Sequence, residues 1–184
     1  MRGPSRTATW IRRSLDGALL GLIVLSLTSV VLGRVVPLTG RSTFVVGGSS
    51  MAPAIGRGSA VIVEPVDPRT IVVGDAVSLR SGSAKAIFTH RVTRVVDRDG
   101  TVWVETKGDA NAEPDPSVTP ASAIIGRVVV ALPALGYLVA LLSTPLGIVF
   151  VVGLGLILLL AGGMIEAPRL ERSQPGHQPM PDIA

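Results

Sequence analysis

Apolar residues are spread unevenly along this chain. Two long runs lie toward the ends, and short Val-rich runs broken by Gly, Pro and Asp fill the middle. Residues 15–36, LDGALLGLIVLSLTSVVLGRVV, hold a mostly apolar stretch of about 18 to 20 residues. As a helix rising ~1.5 Å per residue, it crosses most of a ~30 Å hydrocarbon layer. A cleavable secretory leader is the rival reading, because Val31-Leu32-Gly33 ends on a small residue. Such leaders carry only ~7–15 apolar residues, so the length favours an uncleaved transmembrane helix. A second span is expected over residues 145–165, where PLGIVFVVGLGLILLLAGGM fills Pro145–Met164.

Between the spans the pattern changes period. Val-rich runs at Ser59–Val66, Asp75–Arg80, Ala86–Val96, Thr101–Lys107 and Ile124–Leu132 are separated by Gly, Pro and Asp, which suits strands better than helices. Asp97-Arg98-Asp99-Gly100 joins two of these runs and ends in a turn dipeptide, so a hairpin is expected there. Residues 37–132 are thus read as a small, mainly β domain flanked by two transmembrane helices. Residues 133–144 are apolar but ambiguous between an interfacial helix, a buried strand and the start of a membrane hairpin. Residues 166–184 are polar and Pro-rich, as a disordered tail is.

Charge fixes an orientation. The formal net charge is +4, a basic balance that could suggest nucleic acid. Its location argues otherwise. Arg2, Arg6, Arg12 and Arg13 crowd residues 1–14, whereas the central domain is nearly neutral. Basic residues flanking a first span hold that end in the cytoplasm. The expectation is therefore a multi-pass protein of the cell membrane. Its β domain lies on the extracytoplasmic face, its tail returns inside, and it has no nucleic-acid partner. Cysteine is absent and only His90 and His177 could offer imidazole, so a structural zinc site with about four N/S ligands is excluded.

Three stretches carry candidate chemistry. Gly47-Gly48-Ser49-Ser50-Met51-Ala52-Pro53 follows the first span. Glycines before a serine free the backbone and let another chain approach, and Pro53 fixes the exit. A Gly/Ser linker would look similar. Thr89-His90-Arg91-Val92 falls in an expected strand, where alternation puts His90 on one face with Phe88 and Val92. A lone histidine there is commonly a satisfied core residue, but neutral imidazole, with its ordinary pKa of ~6.5, is also the usual base for a serine hydroxyl. Lys107-Gly108-Asp109-Ala110-Asn111 precedes Glu113-Pro114-Asp115-Pro116. Either Asp109 or Asp115 could orient His90 by accepting its other ring proton, or both could simply cap turns.

Taken in order, Ser50–Pro53, Gly74-Asp75, His90–Val92 and Gly108–Asn111 with Asp115 resemble the signal peptidase I family. The likeness is to its serine–histidine branch, found in archaea, the endoplasmic-reticulum complex and Gram-positive sporulation-type enzymes. It covers residues ~40–145. Ala110 departs from the Asn that the family often has there. The resemblance implies a signal-peptidase-like β domain and a serine endopeptidase that removes signal peptides from secretory preproteins after small residues. Ser50 would be the nucleophile and His90 the general base. Motif order favours Asp115 as the orienting acid, with Asp109 holding the neighbouring loop. No metal or organic cofactor is implied, and the partners are preproteins and the lipid bilayer. The familiar serine–lysine branch fits less well, since the only lysines are Lys85 and Lys107, and Lys85 would face away from His90.

Other readings give different chemistry. The β domain could be a catalytically silent scaffold, or the enzyme could serve a dedicated set of exported substrates. A serine–lysine autopeptidase linked to a DNA-binding repressor is opposed by the first span and by the lack of a helix-turn-helix region.

Topology supplies the first prediction. Single engineered cysteines at the N-terminus or after residue 175 should be protected from an impermeant maleimide in intact cells, while positions within residues 57–125 should label. External labelling at the C-terminus would remove or invert the second span.

Overall fold

The computed structural model describes residues 6–80 and 86–171. Helix α1 (Arg6–Val30) is followed by strands β1 (Ser42–Val45), β2 (Ala60–Glu64), β3 (Ala76–Arg80), β4 (Ile87–Arg98), β5 (Thr101–Lys107), β6 (Thr119–Pro120) and β7 (Ile124–Leu132). Two helices close the chain, α2 (Leu135–Leu142) and α3 (Pro145–Glu171). The protein is mainly β, with one curled antiparallel sheet and long apolar helices before and after it along the chain.

Both long helices are apolar enough to cross a membrane, over Thr9–Thr39 and Pro145–Ile165. Leu20 and Leu27 of α1, and Leu146, Phe150 and Leu160 of α3, are exposed, and none of the apolar window of α3 is buried. A helix that is apolar all round yet uncovered by protein differs from the core helix of a globular domain. The helical run begins at Arg6, earlier than the expected boundary at residue 15, because Thr7–Arg13 contains no Gly or Pro to stop propagation. It continues through a π-helical turn (Val31–Val35) and a 3-10 turn (Val36–Thr39), and ends at Gly40 with φ 80°. Helix α3 also runs past residue 165 to Glu171, so the expected disordered tail starts later than residue 166. The remainder of that tail, with His177, lies outside the described residues, as do Lys85 and the first five residues.

The strand order is β1-β2-β7-β3-β4-β5-β6, with every neighbouring pair antiparallel. All five Val-rich runs form strands, trimmed or extended by a few residues. The hairpin between β4 and β5 turns on two residues, Asp99 and Gly100, both at positive φ, and the Asp97 carboxylate accepts the Gly100 N–H at 2.8 Å. Strands β1 and β6 are additions to the expected set, and both lie at the sheet edges. The ambiguous segment 133–144 resolves as α2. Its Val139 packs with Leu32 and Ala60, and a backbone oxygen of Ser59 sits where Gly136 would carry a side chain.

Two of the apolar clusters pack against the sheet. Ile71, Val77, Leu79, Val92, Val104 and Ala121 form one, under β3, β4 and β5. Met51, Ile55, Val61 and Val63 form the other, beside β2. Strand β7 lies between β2 and β3 and alone connects the two parts of the sheet. At its centre Gly126 is buried, and a side chain there would collide with the Glu64 carbonyl of β2. Gly126→Ala should therefore lower stability by about 1–3 kcal/mol through strand separation, read as the thermal midpoint in detergent. Gly56→Ala, where a Cβ meets nothing within 4 Å, should leave the midpoint unchanged.

Candidate active site

Ser50 sits on the turn that follows β1, where no ladder fixes it. Its position comes from both sides. The next side chain, Met51, is 1% exposed in the cluster with Ile55, Val61 and Val63. Burying a methionine side chain is worth about 1.5–3 kcal/mol, so the turn is anchored one residue from the serine. Inside the turn, Ile55 N–H donates to the Met51 carbonyl at 2.8 Å and Ala52 N–H to that of Ser49 at 3.0 Å. From the other side, Ala110 N–H donates to the Ser50 carbonyl at 2.8 Å. That approach needs Gly108, because a Cβ there would stand 2.7 Å from the Ser50 carbonyl oxygen and 2.9 Å from its Cβ. Ser49 is exposed, whereas Ser50 is half-buried.

His90 lies on β4 opposite Val77 of β3, on the face that also carries buried Val92. The Phe88 ring meets the imidazole edge-on, with centroids 5.1 Å apart. Each ring nitrogen has a partner. Nδ1 is 2.7 Å from Asp115 Oδ2, and Nε2 is 3.2 Å from Ser50 Oγ. An ionised carboxylate can only accept, so the proton resides on Nδ1 and the Nε2 lone pair faces the serine hydroxyl. The histidine side chain is 12% exposed and the aspartate 19%, so little water competes for either bond. Asp115 is set by its own N–H, which donates to the Thr106 carbonyl at 2.8 Å, and by the Thr106 hydroxyl, which donates to Oδ2 at 2.5 Å.

The second candidate acid goes elsewhere. Asp109 takes a fork of two hydrogen bonds from Arg91, Nε to Oδ1 at 2.8 Å and Nη2 to Oδ2 at 2.7 Å. Alternation along β4 turns Arg91 away from the face that holds His90. Hydrogen bonding to the Asp109 carboxylate raises the Arg91 guanidinium pKa above its ordinary value; burial opposes this, and the carboxylate's charge adds to it. Arg91 Nη1 also donates to the Gly74 carbonyl at 2.8 Å. Asp109 thereby ties the loop that touches Ser50 to the entry of β3. Asp75 is structural too, accepting the Val72 N–H at 3.1 Å and facing Arg127 Nη1 at 3.3 Å. Lys107 Nζ donates to the Ala112 carbonyl at 2.9 Å.

Beside Ser50 a cleft of about 190 Å³ runs between the end of β1 and the start of β4, lined among others by Phe44, Val46, Gly48, Ile87 and Phe88. Both walls are strand edges. β1 pairs only with β2, and β5 joins β4 no earlier than Arg91, which leaves Ile87–His90 unpaired on that side among the described residues.

Sequence reasoning missed Thr106 and the cleft edge at β1. Thr106 had a signal. It shares the inward period of Val104 in a Val-rich strand, and a buried hydroxyl at such a position requires a partner. Compared with known proteins, the chain matches no family model and no curated protein.

The two acids should separate experimentally. Asp115→Asn should leave the thermal midpoint nearly unchanged while the imidazole loses its tautomer and orientation, read as a shift of the His90 ring ¹⁵N resonances. Asp109→Asn leaves Arg91 without its carboxylate and should lower the midpoint, by ~1–3 kcal/mol of stability, with those resonances unmoved. A well-folded Asp115→Asn with unmoved His90 resonances would remove it from the site.

Proposed function

We propose that this protein is a membrane-anchored serine endopeptidase of the signal peptidase I type, in its serine–histidine branch. It removes leader peptides from exported preproteins. The observation that carries the reading is the bonded order Ser50, His90, Asp115 beside a cleft between two free strand edges. The two apolar helices support it by supplying an anchor in the bilayer that also holds the precursor.

In this mechanism His90 Nε2 takes the Ser50 proton as Oγ attacks the scissile carbonyl, and the Asp115 carboxylate stabilises the imidazolium that forms. The imidazolium then protonates the leaving amine, and water attacks the acyl-enzyme with His90 again as base. Charge on the tetrahedral oxygen falls to backbone N–H groups around Ser50. Two residues before the nucleophile stands Gly48, so no hydroxyl adds to them from that position. The precursor lies extended in the cleft as an added strand, held by main-chain hydrogen bonds. Walls containing Phe44 and Phe88 leave room for small side chains before the cut. With enzyme and substrate in one bilayer, effective concentration rises and the depth of the cut is fixed.

The test is incubation of the purified protein in detergent with a preprotein. Wild type should cleave at one site, Ser50→Ala should be inactive at an unchanged thermal midpoint, and Ser49→Ala should keep substantial activity. An inactive wild type, or a Ser50→Ala variant that still cleaves, overturns the reading.

A further inference from the structure

The buried hydroxyl of Thr106 is not used by the chemistry just described. It is 1% exposed and sits at the end of β5, and its single O–H proton goes to Asp115 Oδ2 at 2.5 Å. Several other threonine hydroxyls donate to the main chain, Thr93 to the Glu105 carbonyl at 3.1 Å and Thr43 to the Leu32 carbonyl at 2.6 Å. Thr106 instead bonds a carboxylate, and it bonds the same oxygen that accepts His90 Nδ1–H at 2.7 Å.

We propose that Thr106 is a positioning residue that locks the Asp115 carboxylate, and through it the plane of the His90 ring. An oxygen of a carboxylate has two lone pairs, and on Oδ2 both are taken, one by the hydroxyl and one by the ring. Turning the carboxylate plane about the Cβ–Cγ bond would break both bonds together, so the plane is held. The backbone of Asp115 is fixed on the same residue, through its N–H to the Thr106 carbonyl at 2.8 Å. One threonine thus holds the acid by main chain and side chain. A neutral donor suits this place, because it orients the carboxylate while leaving its negative charge for the ring.

The catalytic consequence rests on the peptidase reading, but the geometry can be read without it. His90 and His177 are the only histidines, so a protein labelled with ¹⁵N-histidine gives few imidazole signals. Wild type should show a downfield, slowly exchanging His90 Nδ1–H resonance. In Thr106→Val, which replaces the hydroxyl by a methyl of similar size, that resonance should move upfield and broaden. Thr106→Ser should restore it.

In the cleavage assay, Thr106→Val should lose kcat by about ten- to a hundred-fold at unchanged KM, the loss expected of one charge-assisted hydrogen bond. Thr106→Ser should remain close to wild type. A folded Thr106→Val with an unmoved His90 resonance overturns the proposal whatever its kcat. Should Thr106→Val not fold, wild type decides alone. Two protons aimed at one oxygen lie within range of a nuclear Overhauser effect, and its absence between the Thr106 hydroxyl and His90 Nδ1–H sinks the idea. If wild type cleaves no precursor, the peptidase reading fails, and the resonance still decides the role of Thr106.

Discussion

The pairing of β7 with both β2 and β3 is the constraint on which this molecule depends. Remove it and the sheet falls into β1-β2 on one side and β3-β4-β5-β6 on the other. Ser50 follows β1 and belongs to the first piece. His90 on β4, and the loop after β5 that carries Asp109 and Asp115, belong to the second. The Ser50–His90 contact joins residues forty apart in sequence, and its geometry is inherited from the register of β7. Close approach at Gly126 brings β7 against β2, and the ladder to β3 sets where Val77, and hence its cross-strand neighbour His90, must lie.

Local rules then finish the arrangement with few residues. Neighbours on β4 face opposite sides, so His90 and Arg91 divide the acids of the following loop between them: Asp115 to the imidazole, Asp109 to the guanidinium. The guanidinium fork is rigid and holds the loop, whereas the imidazole keeps a lone pair for the serine. A single dipeptide in one strand thus separates support from chemistry.

The parts legible in the sequence were those governed by local pattern. Val-rich runs announced five strands, the Asp99-Gly100 dipeptide announced a hairpin, and the alternation of Phe88, His90 and Val92 put the histidine on the inner face. Long apolar runs announced both outer helices. Strands β1 and β6 were hidden because a four-residue STFV and a two-residue Thr-Pro carry almost no periodicity; edge strands this short exist through their partners. Asp109 and Asp115 both sit in turn-forming sequence, so residue pattern alone left them open and only motif order favoured Asp115; in the structure the choice lies in which β4 side chain each meets across the sheet. The segment after β7 was ambiguous because LGYLVALL is apolar on every side, and only packing against Ala60 and Leu32 selects the helix.

The join between the two halves at Ser50 is slight. Each half has its own strand ladder and its own apolar cluster, while the loop touches the serine turn through one main-chain hydrogen bond, Ala110 to Ser50, and the bare face of Gly108. The free energy of local opening follows the contacts that must be broken, so parting this seam costs less than parting either ladder.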